Sequence, residues 1–247
     1  MSGRVGPSIS LRTVRETGST NSDLLARIAA GDPPAEGEWL IADRQSDGRG
    51  RLGRHWHDGS GNFMGSTAVR VTATDPAPAS LSLAAGLALF EAVRPCLAPE
   101  LPLMLKWPND LLIGKAKAAG ILLERQQQWV VVGIGVNLAS APALPDRPTV
   151  ALAQFGPSPD RDTFAAALAE HMAECVARWR SHGLGPIIRD WLDRAHPAGT
   201  PLSFRAGASE ETGRFQSLTA DGALLVRTAD GTVRQITAGD VSLVTEV

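Results

Sequence analysis

Gly48-Arg49-Gly50-Arg51-Leu52-Gly53-Arg54-His55-Trp56 interleaves three glycines with three guanidinium groups. Glycine lets backbone N–H groups come close to an anion and tolerates positive φ, while arginine adds charge and paired donors, so the segment suits a small anionic ligand. It lacks the Gly-Lys-Ser/Thr of a nucleotide P-loop and the strand-to-helix setting of a dinucleotide fingerprint. Taken alone, its composition also fits a solvated or RNA-binding basic loop. Lys106-Trp107-Pro108-Asn109-Asp110 is a second such segment, followed by Lys117, Gly120 and Glu124. Only Lys106, Lys115 and Lys117 among the 24 basic residues are lysine, and they fall together. A compact ammonium is not interchangeable with a planar guanidinium, so the cluster marks a place that uses a point charge, although a lysine-bearing surface hairpin accounts for it too. In Gly133-Ile134-Gly135-Val136-Asn137, small residues admit a ligand and asparagine can bond to it. A lone Gly-x-Gly is more often a packing device.

The elements that must position these residues follow from periodicity. Leu24, Leu25 and Ile28 have helical spacing, and Thr20 with Asp23 forms a capping-box pattern, so a helix starts near Ser19 and stops before Gly31-Asp32-Pro33-Pro34. Residues 39–42, 62–71, 103–105, 111–113 and 121–124 read as strands, and the β-branched run Val130 to Leu138 as a buried central one. Ser82 to Val93 is an apolar helix. Phe164, Leu168, Met172, Val176 and Trp179 mark an amphipathic helix ending near Gly183, with a shorter one from Pro186 to about Ala195. Pro142 to Pro159 is Pro-rich and irregular. After His196-Pro197-Ala198-Gly199 the texture changes to short β runs at 202–204, 223–226, 233–236 and 241–244, a small antiparallel barrel-like unit.

Composition narrows the function classes. With 43% hydrophobic and 20% charged residues and a net charge of -2, the chain is globular and not primarily a nucleic-acid-binding surface. It contains no Tyr, the usual base-stacking residue. No apolar run of membrane-spanning length and no signal-peptide pattern is apparent, so the expected location is cytoplasmic, away from membranes. Cys96 and Cys175 sit in helical apolar patterns and make no disulfide framework. Trp107 and Trp129 are assigned to packing, and His55-Trp56-His57 to the loop surface rather than to a metal.

Ser19-Thr20-Asn21, Gln45 with Gly48 to Trp56, Lys106 to Asp110 with Lys117 and Gly120, and Gly133 to Asn137, in that order, resemble the biotin protein ligases. The likeness extends to Asp221-Gly222-Ala223-Leu224-Leu225-Val226 and Ala238-Gly239-Asp240-Val241-Ser242-Leu243. Leu52 departs from members that carry a further Arg there. The resemblance implies an α+β fold: a core like that of class II aminoacyl-tRNA synthetases, with a mixed sheet flanked by helices, over residues 1–197, and an SH3-like β-barrel over 198–247. It also implies that biotin and ATP form biotinyl-5'-AMP, and that biotin then passes to a lysine of a biotin carboxyl carrier protein. The DNA-binding repressor domain of some members would precede Ser19, where eighteen residues stand, so DNA binding is not expected. A homodimer stays open.

Site roles follow from the same resemblance. Arg51, Lys117 and Asp110 are the catalytic candidates. Ser19, Thr20, Asn21, Gln45, Gly48, Arg49, Arg51, Trp56, Lys117, Gly120 and Gly133 are candidates for biotin. Arg49, Arg51, Arg54, Trp56, Lys106, Asn109, Lys117 and Asn137 are candidates for ATP. Mg2+ would be held mainly by ATP phosphates, with Asp110 as one option. For Ser19, Thr20 and Asn21 helix capping is the plain alternative. The arginines of the loop should repel one another without an anion, so the loop is expected to order over its ligand, with Pro142 to Gln154 closing the ATP side. A lipoate ligase and a non-catalytic biotin sensor are the competing functions.

Overall fold

The computed structural model describes residues 8–206 and 209–244. Strand β1 (Ser10–Thr17) leads into α1 (Thr20–Ala29), which is followed by β2 (Glu38–Gln45) and β3 (Phe63–Arg70). After α2 (Leu81–Val93) come β4 (Leu103–Lys106), β5 (Asp110–Ile113), β6 (Ala116–Gln126) and β7 (Trp129–Val136). These strands form one seven-stranded sheet in the order β1-β2-β3-β7-β6-β5-β4. It is mixed, because β1 runs parallel to β2 while the remaining neighbours are antiparallel.

Alternation along the strands sends side chains to two different layers. On one face Leu24 and Ile28 of α1 pack with Leu40, Ala68 and Val131. On the other, Trp39, Ile41, Phe63, Val130 and Val132 meet α2 and the long α3 (Arg161–His182) in the main core. Asp160 caps α3 by accepting from the Thr163 N–H at 2.8 Å. Gly183, at φ 71°, ends it and opens α4 (Leu184–Leu192). Helix α2 is buried nearly all round. By length and composition Pro78–Cys96, α2 with its helical flanks, is apolar enough to cross a membrane, which corrects the expectation that no stretch is; here it fills the core between the sheet and α3.

Strands β8 (Pro201–Ala206), β9 (Ser209–Leu218), β10 (Leu224–Arg227), β11 (Val233–Ile236) and β12 (Val241–Leu243) form an antiparallel sheet ordered β11-β10-β9-β8-β12. Its inward residues, among them Leu202, Phe204, Phe215 and Val226, belong to the same apolar cluster as the main core. Trp107 is buried and donates its indole N–H to Gly222 O at 3.1 Å, tying the two sheets together.

Two strands were not anticipated. In β1 most residues are exposed on both faces, so no alternation marks it; β9 is largely polar and exposed and carries Gly213 in its interior. The capping pattern at Thr20 also resolves differently. Ser19 is the N-cap residue and makes no side-chain cap bond, and Asp23 instead accepts from the Thr17 hydroxyl at 2.6 Å.

Candidate active site

The first turn of α1 is spent on a buried polar network. Thr20 N donates to Gln45 Oε1 at 2.8 Å, and the Thr20 hydroxyl lies 2.7 Å from Ser66 Oγ. Ser66 donates to Asn21 Oδ1 at 2.6 Å, and the Thr20 hydroxyl also donates to Gln45 Oε1 at 3.1 Å. Asn21 in turn donates to Glu124 Oε2 at 2.8 Å, and Arg49 closes on both Glu124 oxygens at 2.8 Å. Ser19, Thr20, Asn21, Gln45 and Ser66 are all buried. Buried polar side chains stabilise a fold poorly unless they are paired, and Thr20, Asn21, Gln45 and Ser66 are paired with one another.

This network floors a cavity of about 280 Å³. It brings together all the sequence-predicted site residues except Gly48 and Lys106. Gly48 instead holds the arginine segment closed: Trp56 N donates to Gly48 O at 2.8 Å and Gly50 N to Arg54 O at 2.7 Å, and a Cβ on Gly48 would strike the Trp56 carbonyl. The segment is thus a small hairpin with Leu52 (φ 57°) and Gly53 (φ 71°) at its tip. The anticipated repulsion among its arginines is offset. Arg49 pairs with Glu124 and Arg54 with Asp240, while Arg51 donates to Asn109 Oδ1 at 2.8 Å and to Gly239 O at 2.6 Å. Burial lowers the Arg51 pKa, and the charges of Asp110 and Asp240 oppose that shift.

Next to Asn109, the partner of Arg51, Asp110 sits between two ammonium groups. Lys106 Nζ lies 2.8 Å from Asp110 Oδ2 and Lys117 Nζ 2.5 Å from Oδ1. All three side chains are less than a fifth exposed. Burial pushes the Asp110 pKa up, but the two lysines outweigh it and hold the carboxyl well below the usual carboxylate range. Lys106 therefore backs the wall without lining it. The glycines of β6 and β7 make room for the site's own side chains. A Cβ on Gly133 would collide with Asn21, one on Gly135 with the Trp56 ring, and one on Gly120 would come within 2.8 Å of Lys117 Nζ. The Trp56 indole N–H is buried there without a partner among the described residues, and Lys117 Nζ lies 5.8 Å from its ring centroid.

Sequence reasoning gave no site role to Ser66 or Asp240, while Gly135 of the Gly-x-Gly segment and Pro142–Thr149 of the Pro-rich run line the cavity. Ser66 and Asp240 lie 45 and 186 residues from the partners they bind, with no local pattern to point to them. Asn137 supports the wall as well as lining it: its amide donates to Val150 O at 3.2 Å and its carbonyl accepts from Leu152 N at 2.9 Å.

The model of the biotin/lipoate A/B protein ligase family matches residues 17–137, the stretch that carries the polar network and the arginine hairpin. The model described as the biotin protein ligase C-terminal domain matches residues 205–244. Biotin--[acetyl-CoA-carboxylase] ligase of Paracoccus denitrificans is 38% identical over 224 residues, covering 85% of this chain and 91% of that protein. The protein of the same name from Mycobacterium tuberculosis is 37% identical, covering 94% and 88%. The biotin protein ligase of Aquifex aeolicus, solved in complex with biotin and ATP, superposes with a TM-score of 0.83 at 26% identity, over 96% of this chain and 99% of that one. The chain belongs to the biotin protein ligases.

Proposed function

We propose that the chain activates biotin with ATP to biotinyl-5'-AMP and transfers biotin to a lysine of a biotin carboxyl carrier protein. The observation that carries this reading is the juxtaposition, in one cavity, of a neutral hydrogen-bonding floor with cationic walls. The floor of Ser19, Thr20, Asn21, Gln45 and Ser66 supplies donors and acceptors to a ureido head that would otherwise be buried at a cost of several kcal/mol per unpaired group. Trp56 covers the ring system from above Gly135. Lys117 and Arg51 meet the charge shared by the biotin carboxylate and the α-phosphate, and the second half-reaction needs no enzyme nucleophile. Catalysis is then positioning plus charge stabilisation.

Asp110 fixes the Lys117 ammonium from behind. Both its oxygens are already engaged by lysines, and the described residues contain no group of three His, Cys, Asp or Glu suited to hold a metal. The side chains present thus do not fit a protein-held Mg2+, and magnesium enters as a companion of the ATP phosphates. We also take the core to be related to class II aminoacyl-tRNA synthetases and the C-terminal sheet to be SH3-like, with the division near residue 197.

The test is biotin-dependent exchange of pyrophosphate into ATP, with lipoate and octanoate as controls, followed by labelling of a carrier domain. Exchange with biotin alone is expected; exchange with lipoate but not biotin would overturn the reading.

A further inference from the structure

We propose that Arg147, on the strap Pro142–Thr149, binds the β- and γ-phosphates of ATP and holds the departing pyrophosphate; this rests on the adenylation reading above. The strap is anchored at the reacting centre. Lys117 N donates to Pro148 O at 2.9 Å, and Val150 N donates to Lys117 O at 3.0 Å, so the chain beside Arg147 is pinned to the backbone of the lysine assigned to the α-phosphate. The Thr149 hydroxyl donates to Pro142 O, which closes the strap into a loop.

Arg147 lines the cavity and is largely covered, whereas its partner Asp146, 2.5 Å away, is 57% exposed. A pair with one partner in water contributes little, so the guanidinium can exchange this carboxylate for a phosphate at small cost. Asp146 also acts electrostatically on Arg54, so strap and hairpin bring two guanidinium groups towards one region. Among the described residues, five cationic side chains and three carboxylates line the cavity, an excess that matches a polyanion better than a single carboxylate does.

In the reaction a biotin carboxylate oxygen bonds to the α-phosphorus, the bond from that phosphorus to its β-bridging oxygen breaks, and the electron pair leaves with pyrophosphate. A bidentate guanidinium on the leaving group accepts that growing charge. Biotinyl-5'-AMP has no β- or γ-phosphate, which separates this role from binding of the intermediate.

The experiment measures Arg147→Ala and Arg147→Lys in two assays. In ATP–pyrophosphate exchange, Arg147→Ala should raise the KM for ATP and for pyrophosphate about tenfold or more, with Arg147→Lys recovering part of the loss. In transfer from supplied biotinyl-5'-AMP to a carrier domain, the alanine variant should change less than twofold. Unchanged KM values, or equal losses in both assays, overturn the proposal. If the wild-type protein shows no biotin-dependent exchange, the reading of the function fails instead.

Discussion

The arginine hairpin and the Lys106–Asp110–Lys117 cluster hold comparable numbers of charges beside one cavity, yet they are built differently. In the hairpin, Arg49 and Arg54 are each 39% exposed, and their carboxylate partners come from Glu124 and, in the C-terminal sheet, Asp240. In the cluster every member is under a fifth exposed, and all three come from one stretch of twelve residues. Exposed pairs are screened and can be traded for a ligand, while a covered pair is fixed once folded. The cavity thus combines a wall whose charges can change partners with one whose charges stay in place.

The largest expected effect falls on the fixed wall. Asp110→Ala leaves two ammonium groups without their shared counter-charge and should cost about 3–5 kcal/mol in denaturant unfolding. Because the folded pKa of Asp110 is depressed, its stabilisation is complete above the ordinary value of 3.8 and is lost only as pH falls below it. An Asp110→Ala protein as stable as wild type would remove the distinction between the walls.

Next, Lys117→Ala should lower adenylation about 10²-fold or more with the fold retained, as loss of a preorganised donor does. Lys115→Ala, at the exposed turn after β5, should leave the exchange rate near wild type; equal losses at both would reject the assignment of Lys117.

His196 sharpens the comparison from behind the fixed wall. It is buried, and burial together with the charge of Lys106 lowers its pKa from 6.5 to about 4. The unfolded chain therefore takes up this proton at higher pH than the folded one, so stability falls as pH drops from 6.5 towards 4. Between pH 7 and pH 5 the loss from this group should be about 2 kcal/mol, and His196→Gln should flatten that part of the profile. A wild-type stability that does not change over this range would contradict it.

The smallest effect belongs to the hairpin. Arg49→Ala and Arg54→Ala should each change stability by less than about 1 kcal/mol, and raised salt should shrink even that. A loss above 2 kcal/mol, insensitive to salt, would mean that the hairpin is as rigidly held as the cluster.

Much of the site was legible in the sequence because its chemistry is local. Glycines beside arginines, three lysines within twelve residues and Thr20-Asn21 at a helix start each carry a signal within one short segment. The strands and helices that bury an apolar stripe, such as Leu24 with Ile28 or the run from Val130, were equally plain from periodicity. What periodicity cannot reveal is an element without a buried face, so β1 went unseen, or a partner brought in from a distant segment. Only the tertiary structure decided that Ser66 completes the polar floor, that Gly133 and Gly135 yield their space to Asn21 and Trp56, that Asp240 and Gly239 hold Arg54 and Arg51, and that Pro148 and Val150 pair with the Lys117 backbone. The reason is physical: residue type and spacing set which interactions a segment needs, whereas the groups that satisfy them are chosen by how sheets and loops pack once the chain has collapsed.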